Sequence, residues 1–267
     1  METIQHGDGD PALSIVACLH GDEKAGRAII TQLDDHSFSK PVQFVIANQR
    51  AMEQDQRYID TDLNRAFPGD PDADTHEDQL AASILDTVAG TTVIDLHTTP
   101  STGTACCVIA GTDPTTERLC HGSGLEHVID IGYESGGLIQ HVTGISIECG
   151  RRGTKKAIEQ GTKTVRNLLR AEGYLDGPAE HTDPACFQIT GEIDRIEDPD
   201  VHVTDFTQVE PGETIASNET VSLNANTSFY PVLTATDGYE QRLGYRAQHR
   251  GRLSAYKTLQ DEGEDHA

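Results

Sequence analysis

The chain has 267 residues, enough for one large domain or two ordinary ones, and enough to bury a core without disulfides or a metal clip. Hydrophobic residues make up 36% of it, too many for general disorder. A formal net charge of −24 sets the surface against nucleic acid and against an anionic membrane, and no apolar run reaches transmembrane length. The first ten residues are polar and acidic, without the basic start and apolar stretch of a signal peptide, so a cytoplasmic protein is expected.

Residues 13–19 read as a buried strand rich in β-branched and small side chains. A helix over 23–33 follows, with Ala25, Ala28 and Ile29 at helical spacing, and then a second strand at 42–47. Residues 48–69 are polar and irregular, a loop of a length that usually carries function. The spacing of Leu80, Ile84, Leu85 and Val88 predicts a helix over 77–89, and the acidic stretch 70–78 suits its start. Strands are predicted at 92–96, 105–110, 128–131 and 144–149, and a helix at 154–171 with Gly173 as its stop. This alternation implies an α/β sandwich with a largely parallel or mixed sheet. Beyond a polar connection at 173–184, short alternating segments at 187–196, 203–209, 219–223 and 229–235 predict a small all-β region. The expected organisation is an α/β domain over 1–175, a C-terminal β domain over 176–258 and a disordered acidic tail over 259–267.

The six cysteines show no C-x-x-C spacing, and several sit in apolar runs, which implies free thiols in a reducing compartment. Cys106 and Cys107 are strand neighbours that point to opposite faces, a poor pair for one metal.

Four segments can carry chemistry. His20-Gly21-Asp22-Glu23 lies at the end of the first buried strand, where α/β sheets bind ligands. Alone the spacing says little, since His127/Asp130 and His202/Asp205 share it. In Val93-Ile94-Asp95-Leu96-His97 a second histidine ends a buried strand, and Asp95 shares its face and can orient an imidazole. Two histidines and one glutamate with a fourth place open form a catalytic zinc set. Glu148 interrupts the apolar run 144–150; it reads either as a general base or as a strand terminus paired with Arg151 or Arg152. The loop from Arg57 to Arg65 reads either as a bidentate grip on a carboxylate, helped by Asn64, or as arginines paired with Asp60 and Asp62.

Together, in order and context, these segments resemble the succinylglutamate desuccinylase/aspartoacylase family of zinc-dependent acyl-amide hydrolases, relatives of the zinc carboxypeptidases. The match spans most of the chain and is strongest between His20 and Gly150. The resemblance implies a zinc-carboxypeptidase-like three-layer α/β/α sandwich with a mixed sheet, and a C-terminal β domain that narrows the site. It implies one zinc (Zn2+) per chain on His20, Glu23 and His97, with Glu148 as the catalytic carboxylate. Arg57 would polarise the scissile carbonyl, and Asn64 and Arg65 would bind the carboxylate of a small anionic N-acyl amino acid. A homodimer is an admissible assembly. Aspartoacylases carry a Tyr and an Arg upstream of the catalytic Glu; here the stretch 135–144 has no Arg and Tyr133 is the nearby tyrosine, which weighs against N-acetylaspartate. Tyr239 is a candidate for the family's C-terminal active-site tyrosine. The competing functions are a metallocarboxypeptidase acting on a peptide or carrier-protein C-terminus and a non-catalytic zinc-binding protein. The dispersed acids, the preference for Arg over Lys and the absence of Trp resemble proteins of salt-loving archaea, in which molar salt shortens the Debye length to about 3 Å and screens self-repulsion.

Overall fold

Period-two alternation along the central strands divides their side chains between two cores. The computed structural model describes residues 1–101, 103–132, 137–236 and 241–256. In chain order the elements are β1 (Glu2–His6), β2 (Leu13–Ala17), α1 (Ala25–Asp34), β3 (Val42–Ile46), α2 (Gln49–Glu53), α3 (Leu63–Ala66), α4 (His76–Val88), β4 (Thr92–Thr99), β5 (Cys106–Ile109) and α5 (Pro114–Ser123). They continue as β6 (His127–Asp130), β7 (Gly144–Arg151), α6 (Lys155–Ala171), β8 (Ala185–Asp194), β9 (Asp200–Val201), β10 (Thr214–Ser217), β11 (Ser222–Asn224), β12 (Tyr230–Val232) and β13 (Arg242–Arg252). Ten strands form one mixed sheet in the order β1-β3-β2-β4-β7-β5-β6-β8-β13-β12, with β2, β3, β4 and β7 parallel to one another.

Ile15, Ala17, Ile94, Leu96, Ile145 and Ile147 face α1, α5 and α6. Val16, Val45 and Val93 face Leu80, Ala81, Ile84 and Val88 of α4, so that part of the sheet lies between two helical layers. The expected three-layer sandwich and C-terminal β region are both present. The strands of that region are not detached from the main sheet: β8 pairs parallel with β6, and β13 and β12 extend the sheet from there, while β9, β10 and β11 form a separate small sheet.

Four elements carry no sequence signal of the usual kind. β1 has a single large hydrophobe, Ile4, and pairs only at the sheet edge with β3. Helix α5 buries one large hydrophobe, Leu119, with Thr116, Cys120, Gly122 and Ser123 making up the rest of its inner face; its start is fixed by the Asp113 cap with Pro114 behind it. β10 is four residues long, and β13 is largely polar along its length. Conversely, 203–209 forms no strand and contributes only a bridge from Val209 to Phe229. The tail, Tyr133 and Tyr239 lie outside the described residues. All six cysteines are free and buried, and Cys106 and Cys107 pack into different cores, as opposite faces require. No helix among the described residues is long and apolar enough to cross a membrane.

Candidate active site

Strands β2, β4 and β7 end side by side: His20 and Glu23 follow β2, Asp95 and His97 lie on β4, and Glu148 lies on β7. Past β2, Cys18 adopts a left-handed φ of 59°, a turn that costs an L-residue about 1 kcal/mol and leads the chain directly into His20. Gly21 follows because nothing larger fits: a Cβ there would lie 2.3 Å from the Ala51 carbonyl carbon and from the Met52 nitrogen. That close approach packs α2 over the turn and holds His20 and Glu23 against the sheet. On β4, Asp95 and His97 share a face, two residues apart, and Glu148 of β7 stands in register with His97. Cys106 of β5 stands in register with Glu148 on its other side.

The donor atoms of His20, Glu23 and His97 lie within 4.8 Å of one another, and all three residues are buried. His20 Nδ1 is 2.8 Å from Glu23 Oε1, and His97 Nδ1 is 3.3 Å from Glu23 Oε2. The second nitrogen of each ring meets an aspartate: His20 Nε2 is 3.0 Å from Asp62 and His97 Nε2 is 2.6 Å from Asp95. At His97 a proton on Nε2 donates to Asp95 and leaves the Nδ1 lone pair facing the common point, the orientation that a metal-ligating histidine needs. At His20 the Nε2 edge is shared, with Arg57 Nη2, a donor, 2.9 Å away beside Asp62. The backbone amide of Thr98 donates to Glu23 Oε2 over 2.8 Å and fixes the carboxylate between the rings.

Electrostatics agree with the geometry. Burial disfavours an imidazolium at both histidines, yet Glu23 and Asp62 around His20, and Asp95 and Glu23 around His97, outweigh it and raise both above the usual range. Burial would raise Glu23 as well, but the two histidines hold it low. The centre is built to receive positive charge, and its two nitrogens and one carboxylate fit a divalent metal.

Glu148 is different. Of the two arginines that the bland reading supplies, Arg152 is bonded instead to Asp22 at 2.5 Å, and Arg151 is exposed at the end of β7 with no ion pair to Glu148 among the described residues. Glu148 Oε2 is buried with no hydrogen-bond partner among the described residues. Burial pushes its carboxyl up to about 7, with the histidines opposing and Glu23 reinforcing the shift.

The loop from Arg57 to Arg65 closes over the same centre. Arg57 reaches Asp62 Oδ2 with Nε at 3.2 Å and Nη2 at 3.1 Å, and its Nη1 lies 3.3 Å from Glu23 Oε1. Asp62 also caps α3 by accepting the Asn64 amide at 2.9 Å. Asn64 Oδ1 accepts the Leu138 amide at 3.0 Å. Arg65 is exposed, with Nη1 donating to the Asn64 carbonyl at 2.7 Å. Arg57, Asp62, His20, Glu23 and His97 thus form one contiguous network, which Asn64 joins through Asp62, with Arg65 at its rim. Among the acids that the sequence offered as arginine partners, Asp62 takes that part, while Asp60 accepts the His76 amide at 2.8 Å. The other H-x-x-[DE] pairs are structural: Asp130 accepts from Gly111, Gly132 and the Tyr256 hydroxyl, and Asp205 accepts from Thr234.

Residues 9–171 match the family model described as the succinylglutamate desuccinylase/aspartoacylase catalytic domain. A probable aspartoacylase from Nostoc sp. is 22% identical over 274 residues, covering 86% of this chain and 92% of its own. In three dimensions the chain is similar to a succinylglutamate desuccinylase from Silicibacter sp. (TM-score 0.75, 15% identity, 93% of this chain and 88% of that one). It is also similar to the product-bound ectoine utilization protein EutE from Ruegeria pomeroyi (TM-score 0.73, 17% identity, 92% and 87%). With the family model spanning well over half of its length, the chain belongs to the succinylglutamate desuccinylase/aspartoacylase family.

Proposed function

We propose that the protein is a zinc-dependent amidohydrolase that cleaves a small anionic N-acyl amino acid into a carboxylic acid and a free amino acid. The observation that carries this reading is the convergence of His20, Glu23 and His97 beside a half-buried carboxylate, Glu148, whose buried Oε2 meets no hydrogen-bond partner among the described residues. Zinc on those three donors supplies a Lewis acid that brings the pKa of a water toward neutrality. Glu148 takes the proton of the attacking water and passes it to the leaving amine as the C–N bond breaks. A carboxyl poised near 7 suits a group that must both accept and give a proton close to neutral pH. Arg57, held across the mouth of the centre by Asp62, meets the charge that develops on the carbonyl oxygen. Asn64 and Arg65 grip the substrate carboxylate and set its distance from the centre.

Metal analysis and a turnover panel test this together. The expected result is one zinc per chain and hydrolysis of N-acyl amino acids that a chelator abolishes and zinc restores. Release of C-terminal residues from peptides, with no action on N-acyl amino acids, would overturn the substrate assignment in favour of a carboxypeptidase. Zinc without turnover on either class would overturn the enzyme reading.

A further inference from the structure

The loop that carries Arg57, Asn64 and Arg65 has no regular structure between residues 54 and 62, yet its side chains must be placed against the centre to within a fraction of an ångström. What places them is a residue outside the loop. Glu77, in the first turn of α4, is completely buried. Its Oε1 accepts the Ile59 amide at 2.7 Å and the Asn48 side-chain amide at 2.9 Å. Its Oε2 accepts the amides of Asp60 at 2.9 Å and Thr61 at 3.3 Å. Four donors converge on two oxygens, and only a carboxylate can accept all four. Asn48 in turn caps α2, the helix that packs on Gly21 beside His20. The Gly21 amide donates to the Arg57 carbonyl at 3.0 Å and closes the ring of contacts.

We propose that Glu77 is the positioning residue of the substrate-gripping loop: its carboxylate gathers the amides of residues 59–61 and the Asn48 side chain, and so aims Arg57, Asn64 and Arg65 at the metal-donor set. It touches neither the donor set nor the reacting atoms; it acts through the loop. The inference rests on the deacylase reading for its effect on catalysis, but the brace itself can be seen without turnover.

The test has two arms. Hydrogen exchange on the unaltered protein reads the brace directly: the amides of Ile59, Asp60 and Thr61 should exchange at least a hundred-fold more slowly than that of Tyr58, which donates to no group among the described residues. Equal rates would overturn the proposal whether or not any variant folds, and whether or not the protein is a deacylase. In folded Glu77→Gln an amide NH2 replaces one oxygen, and two donors lose their acceptor whichever way it turns. At saturating zinc the metal content should stay at one per chain, kcat/KM should fall about a hundred-fold for a loop displaced by about 1 Å, and KM should rise. Glu77→Asp, which keeps the charge on a shorter arm, should recover part of that loss. Generalised loss of folded protein would instead lower apparent kcat and leave KM unchanged, so a wild-type KM in Glu77→Gln overturns the positioning role. A wild-type protein that hydrolyses no N-acyl amino acid defeats the deacylase reading alone, because the exchange arm still decides the brace.

Discussion

His97 takes its second hydrogen bond from its own strand, two residues back, whereas His20 takes it from a loop 42 residues further along the chain. The two aspartates do one job from different supports. Asp95 is 1% exposed and fixed on both sides by the ladders of β2 and β7, and Asp62 is 23% exposed and depends on whatever holds its loop. On the proposed reading the strand half presents the atoms that must not move, the donors His20, Glu23 and His97 and the carboxylate Glu148. The loop half would then present the groups that meet a substrate, and a loop on a rigid scaffold is where contacts can be tuned without disturbing the core. The contrast teaches that the deeper half draws its order from backbone pairing, and the outer half from a few buried side-chain acceptors.

The largest effect should come from the strand half. Glu148→Gln keeps shape and burial but removes the proton carrier, so kcat should fall by about 10²–10⁴-fold with zinc content unchanged. Substantial residual turnover would take Glu148 out of the mechanism. Next, the two aspartates can be set against each other. Asp95→Asn and Asp62→Asn should each weaken zinc binding, in the range of about 10–100-fold typical of such partners, as read by competition with a chelator. The Asp62 variant should lose less affinity yet also raise KM, because it frees Arg57 and uncaps α3 as well. Equal losses of affinity with KM untouched in both would show that the two halves are mechanically alike.

The same division decides what the sequence made legible. In the strand half the spacing alone places Asp95 beside His97, because strand periodicity is two, and an acid inside the apolar run 144–150 stands out on its own. In the loop half the arginines and Asn64 stand out in a very acidic chain, but nothing in the spacing separates Asp60 from Asp62. Only the folded loop sends one to His76 and the other to Arg57 and His20. Glu77 was visible only as one acid among those at 70–78 that suit a helix start. Its partners lie 16 to 29 residues back in the chain, a distance at which no local pattern operates. The same reason hid β1 and β13: an edge strand with one large hydrophobe and a long strand with mostly polar side chains derive their structure from their partners.

At the rim the expected effect is smaller. Arg65 is exposed, and among the described residues its guanidinium donates to the neighbouring Asn64 carbonyl and pairs with no carboxylate, so its charge is available to a ligand. Arg65→Ala should raise KM about ten-fold for substrates with a free carboxylate, the size of one screened charge-assisted contact of about 1.5 kcal/mol. It should leave kcat and the corresponding amide-blocked substrates nearly unchanged. An equal rise for blocked and free substrates would place the carboxylate elsewhere.

The smallest expected signal is a slope in stability with pH, and it asks whether charge or shape holds the loop half. Burial alone would raise the Glu77 carboxyl, but the amides of Ile59, Asp60 and Thr61 and the Asn48 side chain outweigh it and hold the group below the usual carboxylate range. A depressed native value means that the charged form is favoured by folding. Its contribution is complete above the unfolded value of about 4.3 and disappears as the pH falls through the lower native value. The titratable neighbours are Asp60, which accepts the His76 amide, and His76 itself, on Asn48. At neutral pH, Glu77→Gln leaves two buried amides without acceptors, at about 1–3 kcal/mol each, so denaturant midpoints should separate wild type from variant clearly. On acidification below pH ~4 the wild type loses its charge while the variant has none to lose, and the gap should narrow. A gap that stays constant across that range would mean that the donors tolerate a neutral acceptor. The loop half would then be held by Asp62 and its metal-facing partner, which would make the two halves of the site dependent on the same ion.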